Sequence, residues 1–172
     1  MTKRLFCAAA LCMAGMLAVS AQSVRFNNEG KLKIVQFTDI HWRAGDAAAN
    51  MNRVLDEEKP DLVVYTGDVT TAKPATEGLD KALEPVISRG VPYAITFGNH
   101  DDEQDLTRPQ LYDYVKKKLG CLDAKAEGTD FAISVTSADG KQAKAVIYVM
   151  DSNAYSTCLV FDESDEITNP TS

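Results

Sequence analysis

The sequence predicts an α/β fold, a βαβαβ unit with a mostly parallel sheet, followed by a β-hairpin. Three observations predict it. Apolar runs of strand length end at Phe37, Tyr65 and Phe97. Segments with helical apolar spacing separate them, so the strands are joined in one direction through right-handed crossovers. Two further apolar runs flank Asp139-Gly140, a dipeptide suited to a hairpin turn.

The elements follow in order. After a turn at Asn27-Asn28-Glu29-Gly30, Leu32, Ile34, Val35 and Phe37 form a strand that runs into Thr38 and Asp39. Asp46 is placed to cap a helix carrying Ala47, Met51, Val54 and Leu55, and Lys59-Pro60 ends it. Leu62-Val63-Val64-Tyr65 is apolar without alternation, the pattern of a strand covered on both faces. Leu79, Ala82, Leu83, Val86 and Ile87 stripe a second helix closed by Gly90. Pro85 inside it has no N–H to donate and predicts a kink or a split. Tyr93-Ala94-Ile95-Thr96-Phe97 is the third strand. Thr107 and Gln110 resemble a capping box ahead of a third helix striped by Leu111, Tyr114, Val115 and Leu119. Lys116, Lys117 and Lys118 suit the negative end of its dipole, and Gly120 stops it. The lysine run reads as a solvated helix terminus, not a binding patch. Phe131, Ile133 and Val135 alternate, and Val146-Ile147-Tyr148-Val149-Met150 returns as a buried strand. From Thr157 the pattern is lost and Asp162-Glu163-Ser164-Asp165-Glu166 is acidic, so residues 157–172 are expected to form an irregular tail.

The N-terminus reads as a signal peptide over residues 1–21. Lys3 and Arg4 precede an apolar stretch from Leu5 to Val19, too short to span a bilayer comfortably, and Val19-Ser20-Ala21 offers small residues for cleavage. The bulky Phe6 before Cys7 and Leu11 before Cys12 argue against lipidation. The expectation is an exported protein, periplasmic or secreted, with no stable membrane anchor and one domain over residues 22–156. The formal charge of −7 becomes more acidic by two when Lys3 and Arg4 leave with the leader. That balance argues against nucleic acid as a partner, because such binding relies on neutralising phosphates. It leaves a phosphate substrate open, since bound dications invert the local field. Cys121 and Cys158 remain, paired or separately buried, and two thiols make no disulfide framework.

The chemistry gathers where the three predicted strands end. Asp39-Ile40-His41, Gly67-Asp68 and Gly98-Asn99-His100-Asp101 each follow an apolar run, and both histidines of the chain fall in these segments. In parallel sheets ligands collect beyond the carboxyl ends of the strands. Asp39 and His41, two residues apart on a loop, can turn toward one ion, and their oxygen and nitrogen donors suit zinc, iron or manganese. Asp68 after Gly67 can bridge two cations, and Asn99 offers an amide oxygen to the second. Two such ions clamp the attacking and leaving oxygens of a phosphoryl displacement. His100 is placed to donate a proton or hydrogen bond, with Asp101 or Asp102 to orient its imidazole. Each motif alone is ordinary turn or cap chemistry; their joint occurrence at three consecutive strand ends is what points to a metal site.

The set Asp-x-His, Gly-Asp and Gly-Asn-His-Asp resembles the calcineurin-like metallophosphoesterase superfamily. The context from Lys33 to Trp42 and from Phe97 to Asp101 is most similar to its exported, purple-acid-phosphatase-related branch, and the likeness extends from about Lys31 to Tyr155, including Tyr148-Val149-Met150-Asp151-Ser152. The resemblance implies the first half of an αββα sandwich. It implies two divalent metal ions (manganese, zinc or iron), with Asp39 and His41 on the first, Asp68 bridging, Asn99 on the second and His100 assisting catalysis. Two departures stand beside it. Thr70 and Thr71 occupy the place of the purple enzymes' tyrosine ligand, which predicts a colourless site. The family also completes its metals with downstream histidines, including a Gly-His-x-His segment, and none follows His100.

The expected function is therefore metal-dependent hydrolysis of phosphomonoesters or diesters by a site that this chain leaves incomplete. The alternative is a non-catalytic exported protein that keeps the half-site as a weak cation- or phosphate-binding surface. A nuclease of the same fold fits the acidic balance poorly.

Overall fold

The computed structural model describes residues 24–43, 47–122, 128–155, 160–161 and 167–168. The leader, the start at Gln22, the Asp46 cap and Cys158 lie outside them. The elements are β1 (Val24–Arg25), β2 (Ile34–Phe37), α1 (Ala47–Glu58), β3 (Leu62–Thr66), α2 (Ala75–Ile87), β4 (Tyr93–Thr96), α3 (Arg108–Val115), β5 (Phe131–Thr136), β6 (Ala143–Val149), β7 (Val160–Phe161) and β8 (Ile167–Thr168).

Strands β2, β3 and β4 form one parallel sheet in that order, and α1 and α2 are its crossovers. Side chains alternate along each strand, so the register that pairs Phe37 with Tyr65 and Tyr65 with Ile95 puts these three on one face. That face packs against Met51 and Leu55 of α1, Leu79, Leu83 and Val86 of α2, and Leu111, Tyr112 and Val115 of α3. The opposite face carries Leu62, Val64 and Ala94, which meet Val24, Ile133, Val135 and Val149 of a second sheet. Each large apolar side chain buried this way is worth about 1.5–3 kcal/mol. The α/β class and the parallel unit are thus present, with β3 covered on both faces as its unbroken apolar run predicts.

The second sheet has the order β1–β5–β6, with β1 parallel to β5 and the β5–β6 hairpin antiparallel. Strand β1 has no signal in the sequence, because its two residues are held by pairing to Val135 and Thr136. The layers run helices, parallel sheet, second sheet, as in the first part of an αββα sandwich.

Four local expectations are corrected. Helix α2 is not split at Pro85, which lies near its C-terminal end, where only one interior hydrogen bond is forgone. Helix α3 ends at Val115, and Leu119 is 66% exposed instead of extending the apolar stripe. The run Val146–Met150 is buried on one face only: Ile147 and Val149 point inward, whereas Tyr148 is 72% and Met150 73% exposed. Its strand has a sheet on one side and no layer on the other among the described residues. Finally, the tail contains a short antiparallel ribbon, β7 with β8, where irregular chain was expected.

Candidate metal centre

Three loops leave the same edge of the parallel sheet, because β2, β3 and β4 run in one direction and in register. The loop after β2 lies against the loop after β3. The Asp39 N–H donates to the Gly67 carbonyl (3.1 Å), the His41 N–H to that of Asp68 (2.8 Å) and the Trp42 N–H to that of Val69 (2.9 Å). Asp39, His41 and Asp68 all adopt left-handed backbone, with φ of 53°, 47° and 52°. Such conformations cost on the order of 1–3 kcal/mol each in non-glycine residues and persist only where neighbours over-determine them. Gly67 and Gly98 make the close approach of the loops after β3 and β4 sterically feasible. A Cβ on Gly67 would sit 2.7 Å from the Gly98 nitrogen, and one on Gly98 would sit 2.2 Å from Asp68 Oδ1.

The side chains converge. His41 Nε2 stands 3.8 Å from Asp39 Oδ1 and 3.8 Å from Asp68 Oδ2. Two donors on one ion at roughly 2.1 Å can be no more than about 4.2 Å apart, so both pairs fit. The remaining oxygens are pinned from behind. Thr38 Oγ1 donates to Asp39 Oδ2 (2.6 Å), and the His100 N–H donates to Asp68 Oδ1 (3.0 Å). Each carboxylate therefore keeps one oxygen free to face a cation. Asp39, His41 and Asp68 form a group able to hold a metal ion. Asn99 lines the same cleft, of about 490 Å³, which runs between the edge of the parallel sheet and Ile147, Val149 and Asn153.

The His100 ring stands 5.4 Å from the His41 ring, centroid to centroid. Its Nδ1 lies 2.9 Å from Glu103 Oε2, and that hydrogen bond raises the imidazole above its ordinary value while lowering the Glu103 carboxyl. The residue that orients the ring is thus Glu103, where the sequence suggested Asp101 or Asp102. The signal that could have found it is the three-residue spacing of His100 and Glu103.

Asp101 is placed differently from the catalytic role expected of it. Fully buried, it accepts the Val69 and Thr70 N–H groups through Oδ1 and the Gly98 N–H through Oδ2, each at 2.8 Å. Burial pushes its carboxyl up to about 6, against the pull of those three donors. A carboxylate engaged on both oxygens by backbone ties the loops after β3 and β4 together, while the imidazole bonds to Glu103 instead.

Arg108, at the first turn of α3, went unnoticed in the sequence. Its guanidinium donates to the carbonyls of Phe97 and Gly98 and, through Nε and Nη2, to the Asp151 carboxylate. It joins the end of β4 to the end of β6, and so sets the two walls of the cleft. No periodicity or motif marks it.

Taken together, a parallel α/β sheet gathers oxygen and nitrogen donors able to hold a metal ion past its carboxyl edge. The family model that matches, over residues 32–158, is that of the calcineurin-like phosphoesterases, and the chain belongs to that family. The family's chemistry is metal-dependent hydrolysis of phosphate esters. The chain is 38% identical over 113 residues to Phosphatase DCR2 of Saccharomyces cerevisiae, covering 53% of this chain and 20% of that protein. It is 28% identical over 129 residues to "Probable inactive purple acid phosphatase 14" of Arabidopsis thaliana, covering 62% of this chain and 32% of that protein. It is 30% identical over 103 residues to "Probable glycerophosphodiester phosphodiesterase GpdQ" of Arcobacter nitrofigilis, covering 59% and 36%. The chain thus spans about a third or less of the length of these relatives. No solved structure matches it. Among the described residues no helix is long and apolar enough to cross a membrane.

Proposed function

We propose that this site hydrolyses phosphate esters, monoesters or diesters, with divalent ions held by Asp39, His41, Asp68 and Asn99. The observation that carries the reading is the convergence of Asp39, His41 and Asp68 on one point, with one oxygen of each carboxylate pinned and the other free. Asp39 and His41 would hold one ion, Asp68 would face two, and Asn99 would offer its amide oxygen to the second. Manganese, zinc or iron suits these donors. Bound ions would supply electrophilic polarisation and charge neutralisation for the phosphate.

This chain's own residues supply the rest. His100, beside His41 and backed by Glu103, carries a proton on the ring face turned from Glu103 when it is protonated, and can donate it to a phosphate oxygen or the leaving group. The cleft beside the site gives the ester's organic part a wall of Val64, Ile147 and Val149. Four donors cannot saturate two ions, so the chain alone is proposed to bind at most one tightly and to turn over little. The leader-like residues 1–21 support an exported protein, periplasmic or secreted.

The test is an assay of the complete protein with manganese, zinc or iron on a chromogenic phosphomonoester and a diester. Asp68→Asn should abolish turnover without unfolding, and unchanged activity in that variant would overturn the bridging role. A second reading, a non-catalytic protein that keeps a cation- or phosphate-binding half-site, is supported by the relatives named inactive. Saturable metal binding with no turnover on either ester would favour it.

A further inference from the structure

Asn99 and His100 are neighbours in sequence, yet their side chains are joined through two residues outside the metal group. Asn99 Nδ2 lies 3.2 Å from the Tyr155 hydroxyl, which lies 3.0 Å from Glu103 Oε1, and Glu103 Oε2 lies 2.9 Å from His100 Nδ1. Tyr155 comes from the segment after β6. We infer that Tyr155 and Glu103 are positioning residues, forming a bridge that fixes the amide of Asn99 and the imidazole of His100 in one orientation each.

The direction of every bond follows from donor counting. An ionised carboxylate only accepts, so Glu103 must receive a proton at both oxygens. On one side the donor is His100, which places hydrogen on Nδ1 and leaves Nε2 as the unprotonated ring nitrogen. On the other side the donor is Tyr155, whose single hydroxyl proton is then spent. Its oxygen can only accept from Asn99, and only the NH2 end of that amide donates. The amide is therefore set with Nδ2 toward Tyr155 and Oδ1 away from it. An amide left to itself has two orientations related by a flip; one carboxylate resolves that flip and the histidine tautomer together. Partners that orient ligands and catalytic groups in this way are typically worth 10–100-fold in metal affinity or activity.

The role assigned to Asn99 Oδ1 and His100 rests on the proposed phosphoesterase reading; the bridge itself does not, and the experiment separates them. In the metal-free chain, with histidine labelled by 15N, the ring nitrogens are read above the imidazole titration. The chain has only two histidines, so His100→Gln assigns the signals. Neutral His100 should be held as the Nδ1–H tautomer, against the preference of free imidazole side chains for Nε2–H. Glu103→Ala should release it to Nε2–H, whereas Tyr155→Phe should leave it in place. Tyr155→Phe should instead remove the protection of one Asn99 side-chain amide proton. Backbone signals of Val86 and Leu111, buried in the helix-side core, report that each variant is folded. An Nε2–H tautomer in the parent chain, or one that ignores Glu103→Ala, overturns the inference. So does an Asn99 amide unaffected by Tyr155→Phe. In the complete protein loaded with manganese, both substitutions should lower kcat by about 10–100-fold with little change in KM, and a Glu103→Asp variant should recover part of it. A locked tautomer in a protein with no esterase activity would overturn the phosphoesterase reading and uphold the bridge.

Discussion

The rings of His41 and His100 lie 5.4 Å apart, brought together from the loop after β2 and the loop after β4. The Asp68 carboxylate sits between the two loops, with Oδ2 facing His41 Nε2 and Oδ1 bonded to the His100 N–H. One site therefore contains both the candidate ligand and the candidate proton donor, and its behaviour toward metal is open to direct measurement.

Metal binding to the folded state alone stabilises it by mass action. Manganese or zinc at about 100 times its dissociation constant should add about 2.7 kcal/mol to the unfolding free energy. Thermal unfolding with metal and with a chelator measures this. Asp39→Ala and His41→Ala should each abolish the metal-induced rise in Tm, and a rise that survives both places the ion elsewhere.

Asp101→Asn tests the tie between loops. The new amide can still accept from Val69 and Thr70, but it turns an NH2 group toward the Gly98 N–H, leaving that donor unsatisfied. A buried donor left without a partner costs about 1–3 kcal/mol. Urea unfolding should show that loss, together with weaker stabilisation by metal.

Gly98→Ala probes the close approach of backbone and ligand. The added Cβ would sit 2.2 Å from Asp68 Oδ1 and 2.6 Å from the Asp68 nitrogen, so the ligand must move. Gly90→Ala meets nothing within 4 Å and carries only the strain of a φ of +66°, about 1 kcal/mol. Calorimetric metal affinity should fall steeply in the first variant and hold in the second.

The Arg108–Asp151 pair predicts a pH dependence. Burial raises the Asp151 carboxyl, and the Arg108 hydrogen bonds outweigh it and hold the group below its ordinary value. A carboxyl whose folded value lies below the unfolded one, about 3.9, stabilises fully above that pH and loses the contribution as pH falls through the folded value. Asp151→Asn leaves the guanidinium with only the more distant Asp102 carboxylate, 3.9 Å away, as counter-charge, so the loss should fall below the about 3–5 kcal/mol of a fully broken buried pair. The Tm deficit of the variant should be largest near neutral pH and shrink below about pH 4. A deficit that stays constant into acid would mean the charge of Asp151 contributes nothing.

Much of the fold was legible because its signals are local. The continuous apolar run at Leu62–Tyr65 marked a strand covered twice, and helical spacing at Met51 and Leu55 and from Leu79 to Ile87 marked the crossovers. Where local signals misled, a neighbour decided. Val146, Tyr148 and Met150 read as buried because periodicity cannot tell which face of a strand receives a partner layer. Leu119 continued a helical stripe in sequence, but the chain turns after Val115 to lay Cys121 and Leu122 beside β4.

What the sequence determined by itself is the class of fold and the loops where chemistry gathers. Alternation, caps, glycines and the placement of two histidines are properties of neighbouring residues. Only the tertiary structure decided which side chains work as a unit. Asp101 became a backbone tie because three N–H groups from two loops converge on it, and Tyr155 became a partner of Asn99 and Glu103 because the segment after β6 comes back to the loop after β4. The bonds from Val69 and Thr70 to Asp101 and from Tyr155 to Asn99 and Glu103 join residues tens of positions apart, and their geometry is fixed by packing between layers, which no short stretch of sequence contains.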